Sequence, residues 1–208
     1  MKKMCKAMLL VLCAVLLVAG SVMGTLAYLQ AQTGPIKNTM TVGNVAITLD
    51  EAPVDVYGKV VTGDRITATV GAEKGNSYKL IPGHTYTKDP IVTVTADSED
   101  CYVFVKVVDE IAGIQAHKVA NGEDAAVSTI AEQMEANGWR PLEGVDNVYY
   151  QEHDLNDEDV EYPVFSYFTI KTDADVAGYS NAKIEITAYA IQADGFDTAK
   201  EAWTAGNF

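Results

Sequence analysis

Apolar and polar residues alternate with a period of two along most of the chain after residue 44. Successive side chains of an extended strand point to opposite faces, so this period predicts strands with one buried and one solvated face. Half-buried strands of this kind are typical of antiparallel sheets. The alternation therefore predicts an all-β domain, with strands in the segments VAITLD, PIVTVTA, CYVFVKVV, PVFSYFTIK and KIEITAYAIQ. In PVFSYFTIK, the residues predicted to share one face are Val164, Ser166, Phe168 and Ile170.

One segment has helical spacing instead. Between Asp124 and Gly138, apolar residues recur at i, i+3, i+4 and i+7, which predicts one amphipathic helix with Val127, Ile130, Ala131 and Met134 on its buried face. Asp124 is its predicted N-terminal cap and Gly138 its predicted end. A short second helix is predicted after Asp197. Strands, then a helix, then strands again indicate an antiparallel β-sandwich with a short helical insertion.

The first 27 residues have the pattern of a secretory signal peptide. Three lysines precede a fourteen-residue apolar run, which is shorter than the roughly 20 residues that a membrane span needs. Thr25 and Ala27 stand two apart, as the small residues before a signal-peptidase cut do. We expect cleavage between Ala27 and Tyr28, which leaves a single domain over residues 28–208. An uncleaved N-terminal anchor is the alternative, because the apolar character continues past the cut.

The charge of the chain excludes several classes of function. The formal net charge is −14, and removal of the signal peptide takes three of the 15 basic residues and none of the 29 acidic ones, which makes it −17. Proteins that bind nucleic acids or anionic membranes present a basic surface, so neither class fits. A high negative charge suits a soluble protein in an extracellular medium.

Cysteine usage points to a domain that is stabilised by burial alone. Of the three cysteines, Cys5 and Cys13 lie in the predicted signal peptide, so no disulfide can form within the mature chain. Cys101 shares a face with the alternating valines of CYVFVKVV. We interpret it as a buried structural side chain and not as a nucleophile.

No motif of a known catalytic or cofactor site is present. The chain has no H-E-x-x-H, G-x-S-x-G, P-loop or G-x-G-x-x-G pattern. The three histidines, His84, His117 and His153, are widely spaced, so we interpret them as surface or turn residues, with a zinc site assembled in space as the alternative. We therefore assign no catalytic, cofactor-binding or metal-binding residue and predict that the protein is not an enzyme.

The stretch from Glu143 to Glu161 contains eight acidic residues and no lysine or arginine. Counted from Asp154, position six of an EF-hand loop is Asp159 and not glycine, and position twelve is Phe165 and not glutamate, which excludes an EF-hand. We interpret the stretch as a solvated acidic loop. A calcium site of another kind is the alternative.

Four segments together resemble the TasA/camelysin family of exported proteins of Gram-positive bacteria. They are GTLAYL at the predicted cut, NTMTVGNVAITLDE, YKLIPGHTYTKDPIVTVTADSEDCYVFVKV and IEITAYAIQADGF. The insertion at about 111–160, with the predicted helix and the acidic loop, has no counterpart in the resemblance.

The resemblance implies a jelly-roll fold and cleavage between Ala27 and Tyr28 by a signal peptidase of the SipW type. It also implies assembly into extracellular biofilm-matrix or surface fibres, in which the freed N-terminal segment adds a strand to the next subunit. Some camelysin-like members have been labelled metalloproteases, but this sequence has no protease motif.

The sequence thus predicts a secreted structural protein, a fibre subunit that assembles by N-terminal strand addition, located outside the cell or at its surface. Its expected partners are the SipW-type signal peptidase during export and further copies of itself. It is expected to need no cofactor and to meet the membrane only through the signal peptide. The alternatives are a camelysin-like cell-surface metallopeptidase and a monomeric exported adhesin.

Overall fold

The computed structural model describes residues 2–26, 43–117 and 127–208, which belong to two separate compact units. The first unit, Met1–Thr41, contains helix α1, Lys2–Leu26. Among the described residues, no helix combines the length and the apolar character that a membrane crossing requires. The predicted cleavage residues Ala27 and Tyr28 lie outside the described residues.

The second unit, Val42–Phe208, is mainly β, as predicted. All of its strand pairs are antiparallel. The strands, in chain order, are β1 Ile47–Glu51, β2 Ile66–Thr67, β3 Thr85–Thr87, β4 Ile91–Val94, β5 Cys101–Asp109, β6 Arg140–Pro141, β7 Val148–His153, β8 Val160–Pro163, β9 Tyr167–Thr169 and β10 Ile184–Gln192.

These strands form three sheets. Two have four strands each, in the orders β2-β1-β4-β8 and β10-β5-β7-β6, and β3 pairs with β9 in a third. We call the two four-stranded sheets the β4 sheet and the β5 sheet. Side chains from all three sheets enter one buried cluster, which includes Val92, Val105 and Phe168. The apolar alternation of the sequence therefore corresponds to this common core.

Cys101 lies in that core, as predicted. Its side chain is buried on β5, in line with Val103 and Val105. Burial in apolar surroundings raises the pKa of the Cys101 thiol to about 11. A thiol with a raised pKa is a poor nucleophile, because the thiolate is the reactive form.

The predicted amphipathic helix is present but begins later than predicted, and only Ile130 and Met134 of its four predicted core residues are buried, since Ala131 is exposed and Val127 precedes the helix. Helix α2 spans Ile130–Ala136, and its cap is Thr129, whose hydroxyl accepts the N–H of Glu132 (3.1 Å). The Glu132 carboxylate accepts the N–H of Thr129 in return, so the two residues form a capping box. The prediction that Asp124 caps the helix was wrong, since this reciprocal pair starts it instead. Gly138, with φ of +90°, follows its end as predicted.

The segment 111–160 contributes more to the fold than a helix and a loop. It also contains β6 and β7, and β7 pairs with six consecutive residues of β5. Downstream, PVFSYFTIK does not form one continuous strand. Val164 and Phe165 are both buried and Ser166 is exposed, so the alternation breaks there and the prediction that Ser166 faces the core was wrong. The predicted C-terminal helix is α3, Ala199–Gly206, which is capped by Thr198.

Candidate assembly edges

The longest strand at a sheet edge is β10. All nine of its residues pair with β5 on one side. On its other side, no strand among the described residues pairs with it. An edge strand of this length presents a row of backbone groups that can template the addition of another chain.

The register of the β5–β10 pair determines which backbone groups face outward. Glu110 donates its N–H to Lys183 O (2.9 Å), and Ala193 donates its N–H to Asp100 O (2.7 Å). In an antiparallel pair, residues alternate between bonding to the partner strand and facing away from it. Odd-numbered residues of β10 therefore bond to β5. The residues that direct their N–H and C=O groups to the open edge are Ile184, Ile186, Ala188, Ala190 and Gln192.

The side chains of β10 do little to block this edge. Ile186 and Ala188 pack half-buried against the main core. Within the strand, Glu185 is the single charged residue. Natural proteins commonly protect edge strands with charges, prolines or bulges. β10 has no proline, and its register with β5 runs without a bulge from Ile184 to Gln192.

The chain enters the second unit beside the end of β10. A cavity of about 300 Å³ lies there, lined by Gly43, Asn44, Val45, Glu99, Ile191, Gln192 and Phe196. Gly43 and Gln192 line the same cavity, so the first described residue of this unit lies near the end of β10.

The other edges of the four-stranded sheets are shorter. β2 and β6 have two residues each, and β8 has four. Val164, just after β8, donates its N–H to Pro90 O (2.9 Å), so even-numbered residues of this segment bond to β4. Glu161 and Pro163 consequently face the outer edge of β8, and proline has no N–H to donate.

The three histidines lie in different surroundings. His84 is half-buried, with Nε2 2.8 Å from Tyr57 O, and His117 is exposed. The expectation that all three lie at the surface was wrong for His153, which is only 3% exposed. Within the described ranges, no three histidine, cysteine, aspartate or glutamate side chains come together as a set of metal ligands.

His153 connects the two four-stranded sheets. Its Nδ1 lies 2.8 Å from the Tyr162 hydroxyl, which joins the end of β7 to β8. Its Nε2 is buried without a hydrogen-bond partner. Burial lowers the pKa of His153, because it disfavours the charged imidazolium, while the carboxylates of Asp154 and Asp100 act in the opposite direction. The neutral imidazole is therefore the form that the fold favours.

Part of the acidic stretch has a structural role. The Asp159 carboxylate accepts the N–H of Ala96 (2.8 Å), while Asp100, from the facing loop, accepts the N–H of Leu155 (2.6 Å). These bonds connect the loop after β7 to the loop after β4. The side chains of Asp157 and Glu158 are exposed.

A buried ion pair, which the sequence patterns do not signal, lies at the far end of the β4 sheet. Lys88 Nζ is 2.6 Å from Glu51 Oε2, and both residues are less than 9% exposed. The Asn76 amide donates to Glu51 Oε1 (3.1 Å) and to Ala52 O (2.8 Å). The two ionic partners are 37 positions apart in the sequence. The one sign of this ion pair in the sequence is Glu51, the charged residue that ends the alternating segment VAITLDE.

Comparison with protein-family models, with curated proteins and with solved structures finds no match for this chain. The TasA/camelysin resemblance and the cleavage site between Ala27 and Tyr28 therefore stay predictions.

Proposed function

We propose that this chain is a secreted structural protein whose copies assemble into extracellular fibres. In the proposed assembly, cleavage after Ala27 frees an N-terminal segment, and this segment adds a strand to β10 of the next copy. The observation that carries the proposal is the nine-residue outer edge of β10, with which no described strand pairs. Main-chain hydrogen bonds to such an edge supply affinity in many complexes that form by strand addition.

The sequence of the freed segment limits the strand it can form. Gly34 and Pro35 interrupt a regular strand, so residues 28–33 are the part that can pair. Each copy offers a donor segment and an acceptor edge, which are different parts of the chain. A contact of this kind is head-to-tail and does not close on itself, so it builds a filament.

The proposed fold is a jelly-roll-like β-sandwich with a helical insertion. Two four-stranded antiparallel sheets that share one buried cluster support this description. Helix α2 contributes Ile130 and Met134 to the same cluster, as an insertion packed on the sheets would. In a sandwich the inner faces of the sheets are covered, while the strand edges remain available to pair with another chain.

The signal peptide would act as a lock on assembly. Before cleavage, the apolar run that precedes residue 28 retains the donor segment at the membrane, so polymerisation waits for export. A signal peptidase of the SipW type is the partner that releases it. After release, the charge of −17 keeps free subunits soluble.

The site of processing can be tested directly. We expect N-terminal sequencing of the exported protein to begin at Tyr28. Ala27→Pro should block processing, because proline next to the scissile bond cannot take the extended form that the peptidase needs. Exported protein that begins elsewhere, or that retains Met1, contradicts this cleavage site.

Deletion of the donor segment tests strand addition. A chain that starts at Tyr28 retains the whole compact unit Val42–Phe208. Electron microscopy should show fibres of this chain, while the same chain without residues 28–34 should form no fibres and keep an unchanged circular dichroism spectrum. A deleted chain that polymerises as well as the intact one would refute strand addition by this segment.

A further inference from the structure

A cluster of exposed apolar side chains lies at the end of the β4 sheet that holds the Glu51–Lys88 pair. We call it the apolar patch. Its members are between 37% and 54% exposed, and they are Val56, Tyr57, Val60, Val61 and Ile81. Contiguous exposed apolar groups on a soluble protein commonly mark an interaction site.

The patch is built on a defined backbone. The Asp55 carboxylate accepts the N–H groups of Tyr57 (2.9 Å) and Lys59 (3.0 Å), and Lys79 donates its N–H to Val56 O (2.7 Å). Gly58, with φ of +75°, lies against β3: a Cβ added there would be 2.7 Å from the Tyr86 Cα. A surface ordered in advance loses little conformational entropy when it binds.

The charge around the patch differs in sign from that of the chain. Lys59 and Lys79 are exposed, and neither forms an ion pair within the described part of the chain. Within residues 55–61, Asp55 is the one acidic residue, and its carboxylate accepts hydrogen bonds within the turn. In a protein of net charge −14, this apolar surface with two free ammonium groups is complementary to an acidic partner.

The same chain also has an acidic surface with an exposed apolar residue, which is complementary to the patch. The loop between β7 and β8, residues 154–159, contains four acidic residues, and Leu155 within it is 57% exposed. Asp97 donates its N–H to Asn156 O (2.9 Å), which holds the loop against the end of β4. The carboxylates of Asp157 and Glu158 form no ion pair with any described residue.

The two surfaces lie at opposite ends of β4. Thr87, before the strand, donates its N–H to Gly58 O of the patch (3.2 Å), and Ala96, after it, donates to Asp159 of the loop (2.8 Å). They therefore cannot meet within one copy. We propose that the apolar patch of one copy binds the β7–β8 loop of another, with Lys59 and Lys79 facing Asp157 and Glu158. Such a contact is head-to-tail and extends as a chain.

This contact adds a second interface to the proposed self-assembly. It rests on the proposed function only because both proposals join copies of this chain. It uses neither β10 nor residues 28–34. The two contacts can therefore fail separately.

A charge-exchange experiment tests the contact. In the chain that starts at Tyr28, we expect either Lys59→Glu with Lys79→Glu, or Asp157→Lys with Glu158→Lys, to weaken self-association at least about tenfold, as measured by sedimentation. An equimolar mixture of the two variants should associate again, because each patch then meets a loop of opposite charge only on the other variant.

Matched variants separate this contact from general effects of charge and apolarity. Lys106→Glu with Lys200→Glu makes the same change of charge on exposed lysines elsewhere and should leave association unchanged. Tyr57→Ser should weaken association, whereas Val70→Thr, at a fully exposed residue outside the patch, should not.

The proposal is overturned if the charge-reversed variants associate like the unchanged chain, if their mixture gains nothing over either alone, or if the unchanged chain does not self-associate. Loss of association in these variants while the chain without residues 28–34 still polymerises would support the patch and refute strand addition. If instead the charge-reversed variants associate normally while the chain without residues 28–34 does not polymerise, the patch–loop contact is refuted and strand addition is supported.

Discussion

β10 and β8 are both outermost strands among the described residues, yet their outer edges differ. β10 directs the backbone groups of five residues outward, each with an N–H to donate. β8 directs only Glu161 and Pro163 outward, and Pro163 has no N–H. Both sheets are antiparallel and of four strands, so the difference lies in the edges and not in the architecture.

The difference gives the proposed strand addition one preferred site. A short edge that carries a proline and a carboxylate resists pairing with another chain, while a long uncharged edge accepts it. In the proposed assembly, one blocked edge and one open edge would give each copy a direction. The predictions below alter one edge at a time, or the groups that support it.

Blocking the open edge should have the largest effect. Ala188→Pro removes an outward-facing N–H while the β10–β5 hydrogen bonds remain, because Ala188 is one of the residues that face away from β5. We expect the variant to fold and to lose fibre formation altogether by electron microscopy. Ala188→Ser, which keeps the N–H, is the control and should assemble normally. Fibres of the proline variant would exclude this edge as the acceptor.

Removal of the support behind the β8 edge should have a large effect on stability. Trp139 is 1% exposed, and its indole N–H donates to Pro163 O (2.8 Å). Trp139→Ala should lower the free energy of unfolding by about 3–5 kcal/mol, because it leaves a cavity in the core. Trp139→Phe should lower the free energy of unfolding less, because a phenyl ring still fills most of the space and only the hydrogen bond to Pro163 O is lost. Equal urea midpoints for the two variants would show that the ring itself contributes little.

The stability of the protein around β8 should also depend on pH, with a smaller effect than that of the Trp139 substitution. The pKa of His153 is below its ordinary value in the folded protein, so the unfolded chain takes up the proton first as the pH falls. The stability from the neutral imidazole is complete above about pH 6.5 and declines below it, towards the folded-state pKa. His153→Gln should remove this part of the pH dependence in urea unfolding. An unchanged pH profile in the variant would assign the acid sensitivity to other groups.

The smallest effect is expected from a change at the blocked edge itself. Glu161→Thr removes its charge but leaves Pro163 in place, so the edge still lacks a donor. We expect the amount of fibre to change by no more than about twofold, since surface substitutions of this kind have small effects. Branched or laterally bundled fibres in electron micrographs would show that Glu161 alone kept this edge closed.

Much of the fold could be predicted from the sequence, because burial on one face imposes a period of two. This period placed Val92 and Val94 on β4, and Cys101 on the buried face of β5. It failed at Ser166, where two adjacent buried residues break the alternation. It also gave no sign of β7, whose segment VYYQEH has no clean alternation because its tyrosines are half-buried on both faces.

The candidate site was less accessible from the sequence. The open edge of β10 depends on strand order, which is a property of pairing between distant segments and leaves no mark in the strand itself. The burial of His153 likewise depends on β8 and β5, which pack around it from elsewhere in the chain. The proline of β8 was visible, but its protective position followed only from the register with β4.

Hydrogen exchange of individual backbone amides tests the central claim most directly. In the monomer, the outward-facing N–H groups of Ile186, Ala188 and Ala190 should exchange quickly with solvent, because no described strand pairs with them. In assembled fibres of the chain that starts at Tyr28, we predict strong protection of these three amides, with little change at Glu161. Fibres in which the three amides of β10 still exchange as quickly as in the monomer would contradict the account.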